Sequence, residues 1–381
     1  MWRQRFILVA SHWNFDMPAT SVKRPSKDTG PNLTLINYYG RLTVKYGLAF
    51  LVFLMVGRVL WTAAVNYWVA MNPPPPPPPT VGFGVLPRLE FPPQSDDEKP
   101  EAYTLEMAYG LRDSTDRAKV FLMPKASINL LADDQVKQLA ARYGFIFAPE
   151  IIGDKLYRFT KISPLDMSLE ISSIDFTFAM RSNFLSRPDL LTSSGRLPEE
   201  FEAIERVKRF IDTADLMGTD VATAAGEVTF LRSIGGTLRQ AFALADADFI
   251  QVDLRRNLVD DQYPFYTPEW PKGVVSAKLT AAFAGNNSIV EMDYNYRRVD
   301  YLNFETYPLR GVRSAWQTVQ AGEAFVINPK QVKEAVVREV ELAYFDSFTE
   351  QSYMQPIYVF KGDQDFMAFV SAVHANYLSR N

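Results

Sequence analysis

The longest apolar run in the chain is Leu48 to Met71, 24 residues with few polar interruptions. At roughly 1.5 Å rise per residue, such a helix is about 36 Å long and crosses a hydrocarbon core of about 30 Å with some tilt. The pattern predicts a transmembrane helix over residues 46–71. Seven prolines, Pro73 to Pro79, follow it. They cannot continue a helix, and as polyproline II they make a stiff stalk of about 22 Å. About 300 residues remain for a head.

In the head the apolar pattern changes period. Residues 80–94 (TVGFGVLPRLEFPPQ) are broken by glycine and proline, but Phe83, Leu86, Leu89 and Phe91 are apolar. They read as an extended arm that docks on the head. Strands are predicted at Ala102–Met107, Arg117–Leu122, Lys155–Lys161, Met167–Ser172 and Ile174–Met180, and a short amphipathic helix at Ala132–Tyr143. Arg196–Met217 carries an apolar stripe of Phe201, Ile204, Val207, Ile211 and Leu216, with Glu199, Glu200 and Glu202 at its start. It is predicted to be a helix bridging two halves. The second half reads as strands at Glu227–Arg232, Thr237–Leu244, Phe249–Leu254, Val274–Phe283 and Ser288–Val299. A helix at Val312–Gln320 then precedes strands at Val336–Phe345, Met354–Phe360 and Met367–His374. In the first of these, Val337, Glu339, Glu341 and Ala343 should share one face. Pro356 predicts that the next strand lies at an edge or contains a bulge. The fold class expected is α+β, with antiparallel sheets and a few helices.

Arg58 lies near the middle of the span, at a cost of roughly 2.5–3.5 kcal/mol. Eleven Leu, Phe and Val residues return roughly 3–7 kcal/mol, so insertion is favoured. Arg58, Thr62 and Asn66 fall at i, i+4 and i+8 on one helix face. Either Arg58 snorkels and Asn66 reaches the outer headgroups, or the three form a polar seam that pairs with a second membrane helix. Residues 1–45 hold seven basic residues against Asp16 and Asp28, whereas Met71 to Val85 holds none. The positive-inside rule places the N-terminus in the cytoplasm and the head outside.

The chain has no cysteine and only two histidines, His12 and His374, on opposite sides of the span. Disulfides, thiolate metal sites and cysteine nucleophiles are excluded, and no two-histidine metal site forms within one chain. The net charge is −4. The tail carries 7 − 2 = +5 and Arg58 adds one, so the remainder carries −10, which argues against nucleic-acid binding. No G-x-S-x-G element surrounds any serine. His374, in FVSAVHANY, reads as a surface or hydrogen-bonded residue rather than a general base. The carboxylate pairs Asp133–Asp134, Glu199–Glu200 and Asp260–Asp261 permit acid–base chemistry only at glycosidase spacing. Gly235–Gly236 reads as a hairpin turn rather than a phosphate loop. The segment Gln262–Lys272 (QYPFYTPEWPK) sets Tyr263, Phe265, Tyr266 and Trp270 among three prolines. It is either a protein or glycan contact, or a plug at the edge of the core.

From Tyr307 to Asn376 the chain contains YPLRGVRSAWQTVQAGEAFVIN, VVREVELAYFD, YMQPIYVFKG and FMAFVSAV. This stretch resembles the C-terminal part of the YycH/YycI type of extracytoplasmic regulatory proteins. The blocks GTLRQAFALADADFIQVDL, YPFYTP and EMDYNYRRVD would form a second unit of such a head. The whole chain, including PPPPPPPTVGFGVLPRLEFP, is similar to a group of uncharacterised single-pass bacterial proteins whose chains commonly open close to the span, which makes Met17 a second candidate start. The resemblance implies a head of two PepSY-like units and contact with a sensor histidine kinase; it brings no catalytic residue. The organisation expected is a basic tail (1–45), the helix (46–71), stalk and arm (72–100), a first α+β unit (101–195), a bridging helix (196–218) and a strand-rich second unit (219–381). The function expected is a non-enzymatic regulator or scaffold in the cytoplasmic membrane, contacting another envelope protein or its own copy, without cofactor or metal. The alternatives are an envelope ligand-binding module at the 262–272 loop and a carboxylate-based hydrolase.

Overall fold

The computed structural model describes residues 33–72 and 78–380, apart from 109, 114, 126–130, 154 and 188–194. The tail residues before 33, with His12 and Met17, and the prolines at 73–77 lie outside the described residues. The chain divides into two units, residues 1–77 and 78–381.

In the first unit a single helix, α1, spans Leu33–Met71. It begins 13 residues before the expected start of the span, so the tail and the span are not separated at residue 46. Leu33, Ile36, Tyr39 and Leu42 extend the apolar pattern upstream, and no proline or glycine pair interrupts it. Residues Ile36–Met71 are long and apolar enough to cross a membrane, and an 18-residue stretch within them has a mean hydropathy of 2.1. Arg41 and Lys45 therefore sit on the helix itself.

In the second unit the elements in chain order are β1 (Ala102–Leu105), β2 (Arg117–Leu122), α2 (Ala132–Arg142), β3 (Glu150–Ile152), β4 (Leu156–Lys161), β5 (Met167–Ser172), β6 (Phe178–Ser182), α3 (Glu200–Asp212), α4 (Thr219–Ala222), β7 (Gly226–Ile234), β8 (Thr237–Gln240) and β9 (Phe249–Leu254). They continue with β10 (Phe265–Tyr266), β11 (Val275–Thr280), β12 (Ile289–Tyr294), β13 (Asp300–Pro308), α5 (Val312–Gln320), β14 (Phe325–Ile327), β15 (Glu334–Phe345), β16 (Tyr353–Met354), β17 (Pro356–Gly362) and β18 (Met367–Ser371). Among the described residues these strands form three sheets. The largest is antiparallel throughout, in the order β3-β4-β5-β6-β12-β11-β9-β7-β8. The second runs β1-β15-β17-β18-β14, with β10 added beside β15; the third is β13-β2-β16.

This topology corrects the expected division of the head. The nine-stranded sheet joins strands from 150–182 to strands from 226–294. Strand β1, from the expected first unit, pairs in parallel with β15 near the other end of the chain. Helix α3 does not bridge two units: with α2 it covers one face of the nine-stranded sheet, where Val136, Val207 and Phe210 meet Leu169, Phe178 and Val252. It is also shorter than expected. Pro198 disfavours helix at the residue before it, so α3 starts only at Glu200. Its far end stops before Asp215, which turns left-handed at φ 58°. Phe201, placed on the expected stripe, is exposed instead.

Helix α5 packs Ala315, Trp316 and Val319 on one face of the second sheet, against Val337, Phe360 and Val370. The opposite face, with Phe345, Ile357 and Phe369, is covered by Leu89 and Phe91 of the arm. Leu86 of the arm is fully buried, a contribution of about 1.5–3 kcal/mol. Two expectations about this sheet fail for identifiable reasons. Strand β17 is interior, because Pro356 is its first residue, where a missing N–H is tolerated. The pairing of β15 with β17 shifts register between Val337 and Glu339, and this bulge turns Val337 onto the same side as Val340 and Leu342 rather than Ala343. The turn at Gly235–Gly236 is a β7–β8 hairpin with both glycines left-handed, at φ 60° and 78°.

The head has its own cores and no cysteine. Residues 78–381, expressed without α1, should be soluble and should melt in one cooperative transition unaffected by reductant. Thermal denaturation followed by circular dichroism checks this.

Candidate functional site

Strand β9 is largely buried, with Ile250, Val252 and Leu254 on one face, and Arg255–Arg256 follow its last residue. Continuing the strand direction drives Arg256 into the interior, where its side chain is 0% exposed. Burying a guanidinium costs several kcal/mol unless partners replace its water. Its Nε lies 2.6 Å from Asp346 Oδ2, at the end of β15, and its Nη1 lies 2.6 Å from Asp220 Oδ2, in the first turn of α4. Its Nη2 donates to the Arg297 carbonyl at 2.6 Å. The Tyr296 ring covers the guanidinium face, with its centroid at 4.5 Å. Asp220 also accepts from the Tyr296 hydroxyl and the Tyr301 hydroxyl, both at 2.8 Å.

The electrostatics follow from these contacts. Burial opposes the Arg256 charge, but Asp346 and Asp220 outweigh it and raise the pKa of Arg256 well above its ordinary value. Burial alone would raise Asp220. The Arg256 charge and the hydrogen bonds from Arg256, Tyr296 and Tyr301 reverse this and hold it below the usual carboxylate range. Asp346 is wholly buried, and burial raises it more than Arg256 draws it down. Asp220 is thus the firm anion, with its oxygens already engaged by three donors. Such a carboxylate holds charge and position; it is poorly placed to take a proton from a substrate.

A second arginine repeats the pattern nearer the surface. Arg297 Nη2 lies 2.7 Å from Asp175 Oδ2, in the turn between β5 and β6, and Nη1 donates to the Phe348 carbonyl at 3.1 Å. Over these groups opens a cleft of about 860 Å³. Its walls include Met123, Phe176, Met217 and Leu302, and its rim carries Lys125, Arg298, Asp300 and Glu350. Phe176 and Asp215, both lining it, have left-handed backbones at φ 56° and 58°. A bulky residue in that region is a true outlier, at a cost of order 1–3 kcal/mol. Gly218, also in the lining, is needed for a close approach, since a Cβ there would fall 2.2 Å from the Tyr296 hydroxyl.

The residues singled out from sequence lie elsewhere. Phe265 and Tyr266 form β10, which pairs in parallel with Tyr344 and Phe345, and each is 4% exposed. Tyr266 also donates to Glu341. Trp270 is half-buried, lies 4.4 Å from the Tyr266 ring and carries the Arg255 guanidinium 4.0 Å above it. Tyr263 is half-buried in the turn closed by its N–H to the Val259 carbonyl at 2.9 Å. The aromatic segment is therefore part of the core edge, and Phe265 and Tyr266 are not a surface contact. Arg58, Thr62 and Asn66 share the expected face of α1. The Thr62 hydroxyl is taken up by its own helix, donating to the Val59 and Arg58 carbonyls at 2.9 and 3.0 Å. His374 Nδ1 accepts from the Asn376 N–H at 3.3 Å. The carboxylate pairs are spread apart: Asp133 accepts from Tyr157, Glu199 pairs with Arg196 and Asp260 with Lys119. Sequence reasoning missed Arg256, Asp346, Asp220 and Arg297. The available signal was an Arg-Arg pair at each of two strand ends, LRRN and YRRV, which an apolar strand does not need for solubility.

No family model matches this chain, and no curated protein matches it. Among solved structures it is similar to an uncharacterised protein from Eubacterium rectale ATCC 33656. That protein is 10% identical, with a TM-score of 0.30 over 67% of this chain and 82% of the other. A likeness at that score carries no argument about fold or function.

Two outcomes follow from the buried charges. Asp346→Ala leaves Arg256 short of a partner and should destabilise the protein by about 3–5 kcal/mol in urea titrations, whereas replacing Arg256, Asp220 and Asp346 together by Met, Asn and Asn should recover much of that loss. Asp175, Asp220 and Asp293 are all held below the ordinary value, in each case with burial opposing and hydrogen bonds plus nearby cations prevailing. Their contribution is complete above the unfolded value of about 3.9 and is lost as pH falls through their lower native values. The melting temperature should therefore drop on acidification below about pH 4, and drop less in a protein carrying Asp175→Asn and Asp293→Asn.

Proposed function

We propose that this chain is a single-pass protein of the cytoplasmic membrane, with its N-terminus inside and its head outside, and that the head acts as a non-enzymatic regulator or scaffold on another envelope protein. The observation that carries the reading is α1, whose Ile36–Met71 stretch suits a bilayer. The basic residues upstream and their absence from 71–85 support the orientation. The likeness of residues 307–376 to YycH/YycI-type regulators supports the role. We read α5 with β14, β15, β17 and β18 as the PepSY-like unit of that comparison, one helix against an antiparallel sheet.

In this reading Arg58 and Asn66 face a partner helix in the membrane. The Thr62 hydroxyl is satisfied within α1, and among the described residues Arg58 and Asn66 have no side-chain partner of their own. The cleft favours ligand binding as a second activity of the head, in place of the 262–272 segment, whose Phe265 and Tyr266 are buried.

Protease added to intact spheroplasts should remove the head and leave the tail; a protected head overturns the orientation. Arg58→Leu should insert at least as well as the parent but lose most crosslinking to its membrane partner or second copy at matched expression. Unchanged crosslinking would assign Arg58 to snorkelling.

A further inference from the structure

We propose that the projecting end of the β7–β8 hairpin docks on an anionic lipid surface. The proposal rests on the reading of α1 as a membrane anchor and names a second contact of the head with the bilayer.

Strand β7 pairs with β9 only as far as Leu231, opposite Phe249. Beyond that point Arg232, Ser233 and Ile234 pair with Arg239, Leu238 and Thr237 of β8. Strand β8 is the outer strand of the nine-stranded sheet, so no further strand flanks this end. Arg232 and Arg239 are direct partners across the hairpin, and their side chains leave the same face. Both are exposed, and among the described residues neither has a hydrogen-bond or ion-pair partner. Like charges set opposite one another oppose folding. Carboxylates close by in sequence do not relieve them. Glu227 pairs with Arg255, Asp248 accepts from the Ser233 N–H at 2.9 Å, and the exposed Asp246 makes no ion pair with either arginine.

Two guanidiniums that repel each other are held together by an anion to which both can donate, and the oxygens of a phosphate accept from such forks in pairs. The apolar neighbours say which anion. Ile234, two residues along β7, shares the face of Arg232 and is half exposed, and Phe242, just past β8, is fully exposed. A free anion would satisfy the arginines and leave both apolar side chains in water. A bilayer with anionic headgroups meets both needs: phosphates for the arginines, and the boundary between headgroups and acyl chains for Ile234 and Phe242. The turn between the strands is Gly235–Gly236, so no bulky side chain at the tip holds the backbone off the headgroups. Helix α1 keeps the bilayer at high effective concentration, so a weak contact suffices.

The chain has no cysteine, so Ala243→Cys, at an exposed position, gives one site for a nitroxide label. The full chain is reconstituted in vesicles of phosphatidylcholine, alone or with about one-third phosphatidylglycerol. Collisions of the label with oxygen and with a water-soluble nickel chelate are then measured. With phosphatidylglycerol the label should gain oxygen collisions and lose nickel collisions. Each arginine near an anionic surface is worth about fivefold, so Arg232→Gln with Arg239→Gln should lower the docked-to-free ratio about 30-fold. Salt at about 1 M should also release the hairpin. Because the pair is exposed and repulsive, the double variant should melt no lower than the parent. A label equally open to nickel in both vesicles overturns the proposal. So does shielding brought about by inorganic phosphate in phosphatidylcholine vesicles, which would assign the arginines to a free anion. Loss of both kinds of collision in either vesicle overturns it too, and would assign the hairpin to a protein surface. Extraction with alkaline carbonate reads α1 separately. A retained chain with an unresponsive label loses the hairpin contact alone, and a stripped chain whose label still responds to anionic lipid loses the anchor alone.

Discussion

The head depends on one buried charge. Arg256 lies where the end of β9, the end of β15, the start of α4 and the link from β12 to β13 converge. The last three of these segments each give it a carboxylate or a carbonyl, and none of them alone would satisfy a guanidinium out of water. Moving any one segment by a few ångströms would strand an ion at a cost of several kcal/mol. An apolar contact in the same place would tolerate sliding. The interaction therefore fixes position more than it adds stability, which accounts for a charge where a well-packed apolar cluster would cost less.

That constraint links sheets whose strands come from distant parts of the sequence. Ala102 pairs with Glu334, and Arg117 with Pro308. Such pairings close large loops before they gain contacts, so they form late and their register is vulnerable. The Arg256 cluster supplies a check that only the correct arrangement passes. Arg297, reaching from Asp175 to Phe348, supplies another close to the surface.

Where side-chain period alone decides, the sequence is legible. Strands β2, β5 and β9 and helix α5 occupy the residues that their alternation or apolar stripe predicts. What was illegible depends on distant partners. The pair Phe265–Tyr266 resembles a surface aromatic loop because nothing nearby says that β15 will receive it. Pro356 marks a strand end rather than an edge, and the bulge after Val337 leaves no local mark. Strand β13 escapes detection because Leu302, Asn303 and Phe304 do not alternate between core and solvent. The site was hidden for a related reason: a charged side chain at a strand end reads as solvated, and Arg256 is buried only because Asp220 and Asp346 arrive from elsewhere.

The cleft traces to the same buried charge. Between Asp300 and Phe304 the pairing of β13 with β2 breaks register. A regular strand here would keep Tyr301 in the plane of the sheet. The irregularity instead brings the Tyr301 hydroxyl to Asp220, 2.8 Å away, and completes the shell around Arg256. Gaining that donor costs regular pairing over residues 301–303. Leu302 is displaced into solvent, 94% exposed. The arm and the C-terminal segment cover Thr306 and Pro308, where β13 is regular. A structural requirement of the interior thus sets the shape of the surface around the cleft.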